Sequence, residues 1–297
     1  MLDTSTIVTD TTTDIGPPVR GPQTKATDFG YHFFDEFRSC PRKWYFNYIL
    51  HEPRPEKAAL LLGSAWHKGL EQLLLGKPVE EAVSEARQIF AGPQISEKNF
   101  EIWLERIGPF LPAEGGPIAV EEEIIFPLQQ IDFSVTARID GIWGGPESQK
   151  IILEHKTTSA NVTYTLDNLE NSDQITMYLL GAQRIYGPIS YALADVTVFD
   201  KNKPEAPVTI TVAELTRTTE EIELFEAGLV GTIIEMESRL KSLLGGVPPD
   251  VLFPRYPSTC EKFGCPYAEI CRNRLRVENV SEGILDAFHL SPEEESE

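Results

Sequence analysis

Three things are scarce in this sequence: long apolar runs, cysteine and positive charge. No apolar run approaches the roughly 20 residues of a membrane-spanning helix, and the chain does not open with a basic-then-apolar signal peptide. We therefore expect a cytoplasmic protein that does not insert into membranes. The chain has only four cysteines. Because a reducing compartment disfavours disulfides, they predict either a metal site or unrelated core thiols.

Positive charge is limited to 26 lysines and arginines against 46 acidic residues, a formal net charge of -20. This balance argues against broad, non-specific binding to polyanions. It leaves room for a local nucleic-acid groove, because exposed charges more than about 8 Å apart are largely screened at physiological salt. The 41% apolar content predicts a sizeable core, in one elaborated domain or a domain with a helical insertion.

Apolar periodicity predicts helices first and a strand-rich region after residue 117. An aromatic helix pair is expected within 28–50, further helices at 64–76, 78–91, 97–110, 171–186 and 218–244, and strands at 118–127, 132–143, 150–157, 190–199 and 207–214. From residue 118, the order β-β-β-α-β-β-α indicates an α/β fold around a mixed sheet.

The changes in pattern divide the chain into a mobile leader, a helical region, a strand-rich core, a cysteine segment and an acidic tail. These segments cover 1–27, 28–117, 118–248, 249–280 and 281–297.

Two predicted strands joined by a turn carry the candidate chemistry. Glu154 and Lys156 are two residues apart, so they project from one face of their strand while His155 points away. If the turn is centred near Glu147, Asp140 lies directly opposite Glu154, with Cβ atoms roughly 5 Å apart. Facing carboxylates destabilise a sheet unless a cation lies between them. The pattern predicts a divalent-metal hydrolytic centre; the alternative is a surface ion-pair ladder on a hairpin.

The predicted helices carry further candidates. His67 lies at the edge of an apolar stripe and has a structural role as its alternative. Gln174 and Tyr178 are neighbours on one helix face, and without further context they form a polar edge. Cations flank Cys40 in the aromatic helix pair, where the alternative is solvated charge on a packed pair.

Taken together, these motifs resemble the RecB-type branch of the PD-(D/E)xK nucleases. The motifs are Gly63-x3-His67, Ile139-Asp140-Gly141, Glu154-His155-Lys156-Thr157 and Gln174-x3-Tyr178. With one early and three late cysteines, the chain is similar to the iron-sulphur members of that branch, which include the nuclease module of AddB, the CRISPR-adaptation exonucleases and related phage and mitochondrial exonucleases. Each motif alone is weak, but five elements in this order are specific. The resemblance covers about residues 28–275.

This resemblance implies a restriction-endonuclease-like core with a mixed central sheet, an N-terminal helical block and a cysteine-stapled C-terminal segment. It implies that Asp140 and Glu154 bind Mg²⁺ or Mn²⁺, with His67 and the main-chain carbonyl of His155 as further ligands. A nitrogen ligand favours Mn²⁺ over Mg²⁺. Lys156 would orient the attacking water or help to deprotonate it, after the metal has made it more acidic.

For DNA contacts, the resemblance implies that Gln174 and Tyr178 hydrogen-bond a phosphate or hold the lysine. Arg138 would meet the scissile strand, or else pair with a neighbouring acid. The other candidates form a basic rim that would hold phosphates without reading sequence. They are Arg38, Arg42, Lys43, Arg272, Arg274 and Arg276.

The cysteines divide as Cys40 near the start and Cys260, Cys265 and Cys271 near the end. This division resembles the family's 4Fe-4S cluster, which ties the N-terminal helices to the C-terminal loop. Four residues separate Cys260 from Cys265, where two are common in the family. The longer spacing keeps zinc open as an alternative, and unligated thiols are a third.

The implied function is a divalent-metal-dependent deoxyribonuclease, a single-stranded DNA exonuclease in recombination, repair or phage DNA processing. Within the enzyme class, the alternative is a CRISPR-adaptation end trimmer working beside a protein partner. From another class, the alternative is a non-catalytic DNA-binding or assembly subunit that keeps the nuclease fold. Such subunits usually lose a metal-binding acid or the lysine, and this sequence retains all of them.

Overall fold

A computed structural model describes residues 29–53, 58–89, 101–102, 104–105, 114–145, 149–159, 161–200, 208–258, 260, 265–272, 275 and 280–290. The predicted leader, the acidic tail beyond residue 290, Arg274 and Arg276 lie outside these ranges. So does most of the predicted helix at 97–110, of which residues 101, 102, 104 and 105 have helical backbone.

Helices precede the sheet, as the periodicity predicts. They are α1 (Tyr31–Ser39), α2 (Pro41–Trp44), α3 (Ala58–Leu74) and α4 (Val79–Ile89). The α2 helix starts at a proline, whose missing N–H costs nothing in a first turn, and it continues as one turn of π-helix over Tyr45–Ile49. Cys40 is extended at this junction and therefore lies between two rigid helices.

The sheet has five strands in the order β1-β2-β3-β4-β5. Their bounds are Gly116–Pro127, Ser134–Gly144, Lys150–Thr158, Ala192–Val198 and Thr209–Leu215. The β3–β4 pair is parallel and the others are antiparallel, so the predicted mixed α/β sheet is confirmed.

A helix that the periodicity did not predict, α5 (Val162–Glu170), follows β3. Its β-branched residues weaken the helical pattern, although Asn161 caps it by accepting a hydrogen bond from the Thr163 N–H at 2.8 Å. The remaining helices are α6 (Asp173–Tyr186), α7 (Thr219–Leu244), α8 (Pro249–Leu252) and α9 (Glu282–Ala287).

Two predicted ends of α6 are confirmed. Ser172 caps its start by accepting a hydrogen bond from the Gln174 N–H, and Gly187 ends it at a positive φ of 77°. The helix lies close to β1, because a Cβ at Gly181 would be 2.4 Å from the Phe126 ring. This close approach determines where the side chains of α6 meet the sheet.

Two apolar cores cover opposite faces of the sheet. Ile151 and Leu153 join α3 and α4 in the smaller core, whereas Ile152 joins α1, α2, α6 and α7 in the larger one. Since side chains alternate along a strand, Glu154 belongs to the α6 face and His155 to the α3 face. None of the helices in the described ranges has both the length and the apolar character needed to cross a bilayer.

Candidate active site

The β2 and β3 strands diverge at the point where the predicted acids meet. Their pairing runs from Gly144–Lys150 to Gly141–Leu153, which is the register predicted from the turn, and it stops one position before Asp140 and Glu154. Among the described residues the ladder ends there, and Asp140 Oδ2 accepts a hydrogen bond from the His155 N–H at 2.8 Å. The Asp140 carboxylate thus takes the place of a main-chain hydrogen-bond acceptor, and the two strands separate at this point. We call the opening between them the fork.

His67 enters this fork from α3. Its Nδ1 lies 3.2 Å from Asp140 Oδ1 and 3.4 Å from Glu121 Oε1. One turn earlier, a Cβ at Gly63 would lie 3.5 Å from Thr157 Oγ1, so the helix packs closely on β3. Ligand atoms of His67, Glu121 and Asp140 all lie within 4.8 Å of one another. Two oxygens and one nitrogen at this spacing are a donor set suited to a divalent cation.

Glu121 was missed in the sequence. Its neighbours Val120 and Glu122 pair with Gly141 and Ile139, which places Glu121 opposite Asp140. The residue has a positive φ of 48°, uncommon for a non-glycine residue. The register shift between Pro117 and Ala119 lies further from the β1–β2 turn than Glu121 does, and the pairing from Pro127–Ser134 to Val120–Gly141 keeps one register. Counting back from that turn would therefore have located Glu121, but the sequence prediction counted only from the turn between β2 and β3. With Glu154, three adjacent strands therefore each supply one acid.

Glu154 is the most deeply buried of these acids, with 0% exposure. Lys156 Nζ pairs with its Oε1, while Oε2 is buried without a hydrogen-bond partner among the described residues. Burial raises the pKa of Glu154, and it also opposes the charge on Lys156, whose pKa is nevertheless raised by the adjacent Glu154 carboxylate. A buried carboxylate oxygen without a partner is costly, so this position is suited to a cation.

His67 and Asp140 each shift the pKa of the other. Burial disfavours charge on both, yet His67 lowers the pKa of Asp140 below its usual range, and Asp140 raises the pKa of His67 well above 6.5. In the metal-free protein, a protonated imidazole therefore provides the positive charge that the facing acids require. A divalent cation would compete with that proton for the same donors.

Asp195 is a second residue that the sequence did not single out. Parallel pairing of β3 and β4 aligns it with His155, and its Oδ1 contacts His155 Nδ1. Both side chains are about 5% exposed. His155 Nε2 and Asp195 Oδ2 are buried without hydrogen-bond partners among the described residues. Burial opposes charge on His155, but Asp195 raises the pKa of its imidazole. The pair stabilises the strand segment whose N–H holds Asp140.

Gln174 and Tyr178 meet the fork from the α6 face. Gln174 Nε2 donates to the Tyr178 hydroxyl at 2.6 Å, as their spacing on one helix allows. Burial, followed by the Glu154 carboxylate, raises the pKa of Tyr178 above its usual range, so the phenol stays neutral. A neutral phenol next to buried acids retains an O–H that can donate to a phosphate.

Two predicted DNA-binding arginines pair with acids. Arg138 donates to Glu121 Oε2 from Nε at 3.0 Å and lies 2.9 Å from it through Nη2, the acid-pairing alternative. Arg38 links three helices, since it contacts Asp173 at 2.6 Å and the Thr232 hydroxyl at 3.1 Å. Both are therefore partly neutralised, and phosphate contact by either stays a prediction.

The cations that flank Cys40 are also paired. Arg42, whose side chain is 11% exposed, pairs with Asp250, and Lys43 lies 3.4 Å from Glu36. Arg272 is exposed. Three of the rim cations, Arg38, Arg42 and Lys43, therefore have acidic neighbours, and phosphate binding by the rim stays a prediction.

The four cysteines come together near α2. Cys40 and Cys271 are buried, and Cys260 and Cys265 are partly exposed. Burial raises the pKa of Cys260, and Cys265 and Cys40 raise it further; burial and the other three thiols raise that of Cys271. These mutual effects show that the thiols are neighbours. Among the described residues, no three of their sulfurs lie within 4.8 Å of one another.

Comparison with known proteins supports this fold. A model of the PD-(D/E)XK nuclease superfamily matches residues 33–272. The solved structure of a "Putative exonuclease" from Eubacterium rectale is similar over 91% of this chain and 98% of that chain, with a TM-score of 0.51 and 13% identity. At this identity the likeness shows the fold alone.

A further solved structure, that of SSO0001, covers 80% of this chain and 96% of its own with 14% identity. Its TM-score of 0.35 is too low to carry an argument. No curated protein matches the chain.

Proposed function

Since this chain belongs to the PD-(D/E)XK nuclease superfamily, we propose that it is a divalent-metal-dependent deoxyribonuclease that degrades single-stranded DNA from its ends. The observation that carries this proposal is the row of acids from three adjacent strands beside His67. Asp140 and Glu121 lie within reach of one ion, and Glu154 keeps a buried oxygen without a partner among the described residues.

The donor set fits Mg²⁺ or Mn²⁺, with Asp140, Glu154 and His67 as the proposed ligands, Glu121 as an added one and the His155 carbonyl as the predicted main-chain ligand. When bound, such an ion would polarise the phosphodiester and make a nearby water more acidic. The imidazole among the donors favours Mn²⁺.

The remaining catalytic roles belong to side chains of the protein itself. Lys156 stays an ammonium because the adjacent Glu154 raises its pKa despite burial. This favours orienting the nucleophile and stabilising developing negative charge over proton abstraction. Tyr178, steadied by Gln174 at 2.6 Å, would donate to a non-bridging phosphate oxygen. His155 and Asp195 act through the N–H that positions Asp140.

We also propose that Cys40, Cys260, Cys265 and Cys271 hold a 4Fe-4S cluster. Their proximity supports a shared group. Four thiolates can also hold a tetrahedral zinc ion with Zn–S bonds of about 2.3 Å, so metal analysis and absorbance distinguish the two groups. Anaerobically purified protein should show a broad absorbance band at roughly 400 nm, and a colourless protein containing stoichiometric zinc would refute the cluster.

The catalytic proposal is tested with Asp140→Ala and Lys156→Ala on end-labelled single-stranded DNA in Mn²⁺. Each should lower the rate at least about 1000-fold with unchanged circular dichroism. Glu123→Ala, which removes an exposed acid next to the site on β1, is the control and should retain activity. Undiminished cleavage by either variant would refute the assignment.

The exonuclease part of the proposal has its own test. Linear single-stranded DNA should be degraded, whereas circular single-stranded DNA of the same sequence should survive because it offers no end. Equal degradation of both would show an endonuclease. Binding of linear DNA without turnover in either metal would support a non-catalytic subunit.

A further inference from the structure

A polar cavity of about 680 Å³ lies where α1, α5 and the start of α6 meet, separate from the carboxylate site. Its walls include two tyrosines, Tyr31 and Tyr164, and two amides, Asn168 and Asn171. Ser172 also lines it. Ser172 caps α6 six positions before Tyr178, about 9 Å along the helix at a rise of about 1.5 Å per residue. The cavity therefore lies close enough to Tyr178 along α6 for one short stretch of a DNA strand to contact both.

The charges of the cavity exclude a phosphate. Asp35, Asp167 and Asp173 line it, and no lysine or arginine does among the described residues. Asp173 is engaged by Arg38 at 2.6 Å, which leaves Asp35 and Asp167 as acceptors. These acids do not form an ion site either, because among the described residues the group whose ligand atoms lie within 4.8 Å of one another contains none of them.

The aromatic groups offer flat surfaces. Tyr164 is 58% exposed at the rim. The Tyr31 hydroxyl bonds Ser172 and Asp35, which fixes its ring, and burial raises the pKa of Tyr31 to about 12, so the ring stays neutral. Tyrosine faces stack on nucleobases, while amide and carboxylate groups bond the polar edges of bases.

We propose that this cavity holds one nucleobase of the DNA strand whose phosphate is bound at the carboxylate site. Tyr164 stacks on the base, and Asp167 and Asn168 bond its edge. Carboxylates accept hydrogen bonds from exocyclic amino groups, so the cavity takes a base that carries one, cytosine, adenine or guanine, in preference to thymine. The sugar-phosphate backbone passes outside the acidic walls. This inference rests on the proposed function, because it assumes the same strand at both sites.

The test measures binding in chelator, without cleavage, by fluorescence anisotropy of a labelled single-stranded oligonucleotide. Tyr164→Ala should raise Kd about tenfold, the scale of one stacked base, and Tyr164→Phe should leave it unchanged. Tyr256→Ala is the matched control, since Tyr256 is 39% exposed and lies outside the cavity lining. It should bind like wild type.

A scan of oligonucleotides with a single abasic site identifies the base. At one position, loss of the base should weaken oligonucleotide binding by the wild-type protein about tenfold. Binding by Tyr164→Ala should not weaken further when that base is lost. At that position cytosine should bind more tightly than thymine, and Asp167→Asn should remove the difference. If there is no position at which both loss of the base and its exchange from cytosine to thymine weaken binding, the cavity holds no base. Competition by a lysine- and arginine-rich peptide that requires Tyr164 would assign the cavity to a cationic protein partner and overturn the inference.

These outcomes are separable from the catalytic proposal. A base-dependent pattern in a protein that cleaves nothing would leave the cavity inference standing and refute the nuclease activity. Cleavage that depends on Asp140, without any base-dependent pattern of binding, would support the nuclease activity and refute the cavity inference.

Discussion

The carboxylate site and the cysteine cluster each unite residues from distant parts of the chain, but they are built differently. The first lies on three neighbouring strands held by ladder hydrogen bonds, with His67 between Glu121 and Asp140. The second joins the junction of two N-terminal helices to loops after α8. Side-chain ties such as Arg42–Asp250 connect those parts.

This difference predicts different responses to loss of a bound ion or cluster. In the metal-free carboxylate site, protonated His67 offsets the charge of the acids, so the sheet keeps its geometry. The described residues of the cysteine segment belong to no strand, and a shared cluster would close the long loop between Cys40 and Cys260. Losing the metal should therefore stop catalysis, whereas losing the cluster should loosen the fold.

The largest expected effect comes from Cys271→Ser. Treated like loss of a cross-link worth about 3–4 kcal/mol, it should lower Tm by about 10 °C and remove the visible absorbance. Asp140→Asn, compared by the same calorimetry, should shift Tm far less while abolishing cleavage. If the two variants melt alike, the proposed contrast between the regions is wrong.

Next in size is Glu121→Gln, which keeps the shape of the side chain but removes a candidate ligand. The Mn²⁺-dependent rate should fall about 10- to 100-fold, the usual cost of disturbing a metal site. Glu123→Gln makes the same change at an exposed position on the same strand and should leave the rate unchanged. Equal rates for both variants would exclude Glu121 from the site.

Asp195→Asn should weaken Mn²⁺ binding about tenfold, measured by calorimetric titration, because it loosens the imidazole behind the N–H that holds Asp140. In a double-mutant cycle with His155→Asn the two effects should not add, since both remove one interaction. Additive effects would mean that Asp195 acts by a separate route.

The smallest effect is on metal-free stability. The folded-state pKa of His67 is above its unfolded value, because Asp140 outweighs burial. Its stabilisation, of order 1 kcal/mol, should be complete below the unfolded pKa of about 6.5 and disappear as pH rises through the folded value. Denaturant curves of wild type and His67→Asn should therefore converge at alkaline pH. A difference in unfolding free energy between the two proteins that grows as the pH rises would contradict this prediction.

Much of the fold could be predicted because its signals act over a few residues. Alternation located the strands, the Ser172 cap and Gly187 defined α6, and the turn length set the β2–β3 register that pairs Gly141 with Leu153. The α5 helix was missed because β-branched residues hide its periodicity.

The site was only partly predictable, because several of its contacts join residues that are far apart in the chain. Glu121 could have been located by counting back from the β1–β2 turn, whose pairing keeps one register as far as Val120, but Asp195 reaches His155 across 40 residues through parallel pairing. The acid partners of Arg38 and Arg42 come from 135 and 208 residues away, distances over which the sequence has no local signal.

By itself, then, the sequence determined the α/β fold, the β2–β3 register and the resemblance to a nuclease family, because these rest on periodicity, turn length and motif order. Only the tertiary structure decided which groups surround Asp140 and Glu154. It did so through packing of α3 and α6 on opposite faces of the sheet and through the divergence of β2 and β3 at Asp140. Such long-range contacts depend on the whole core, and no short stretch of sequence specifies them.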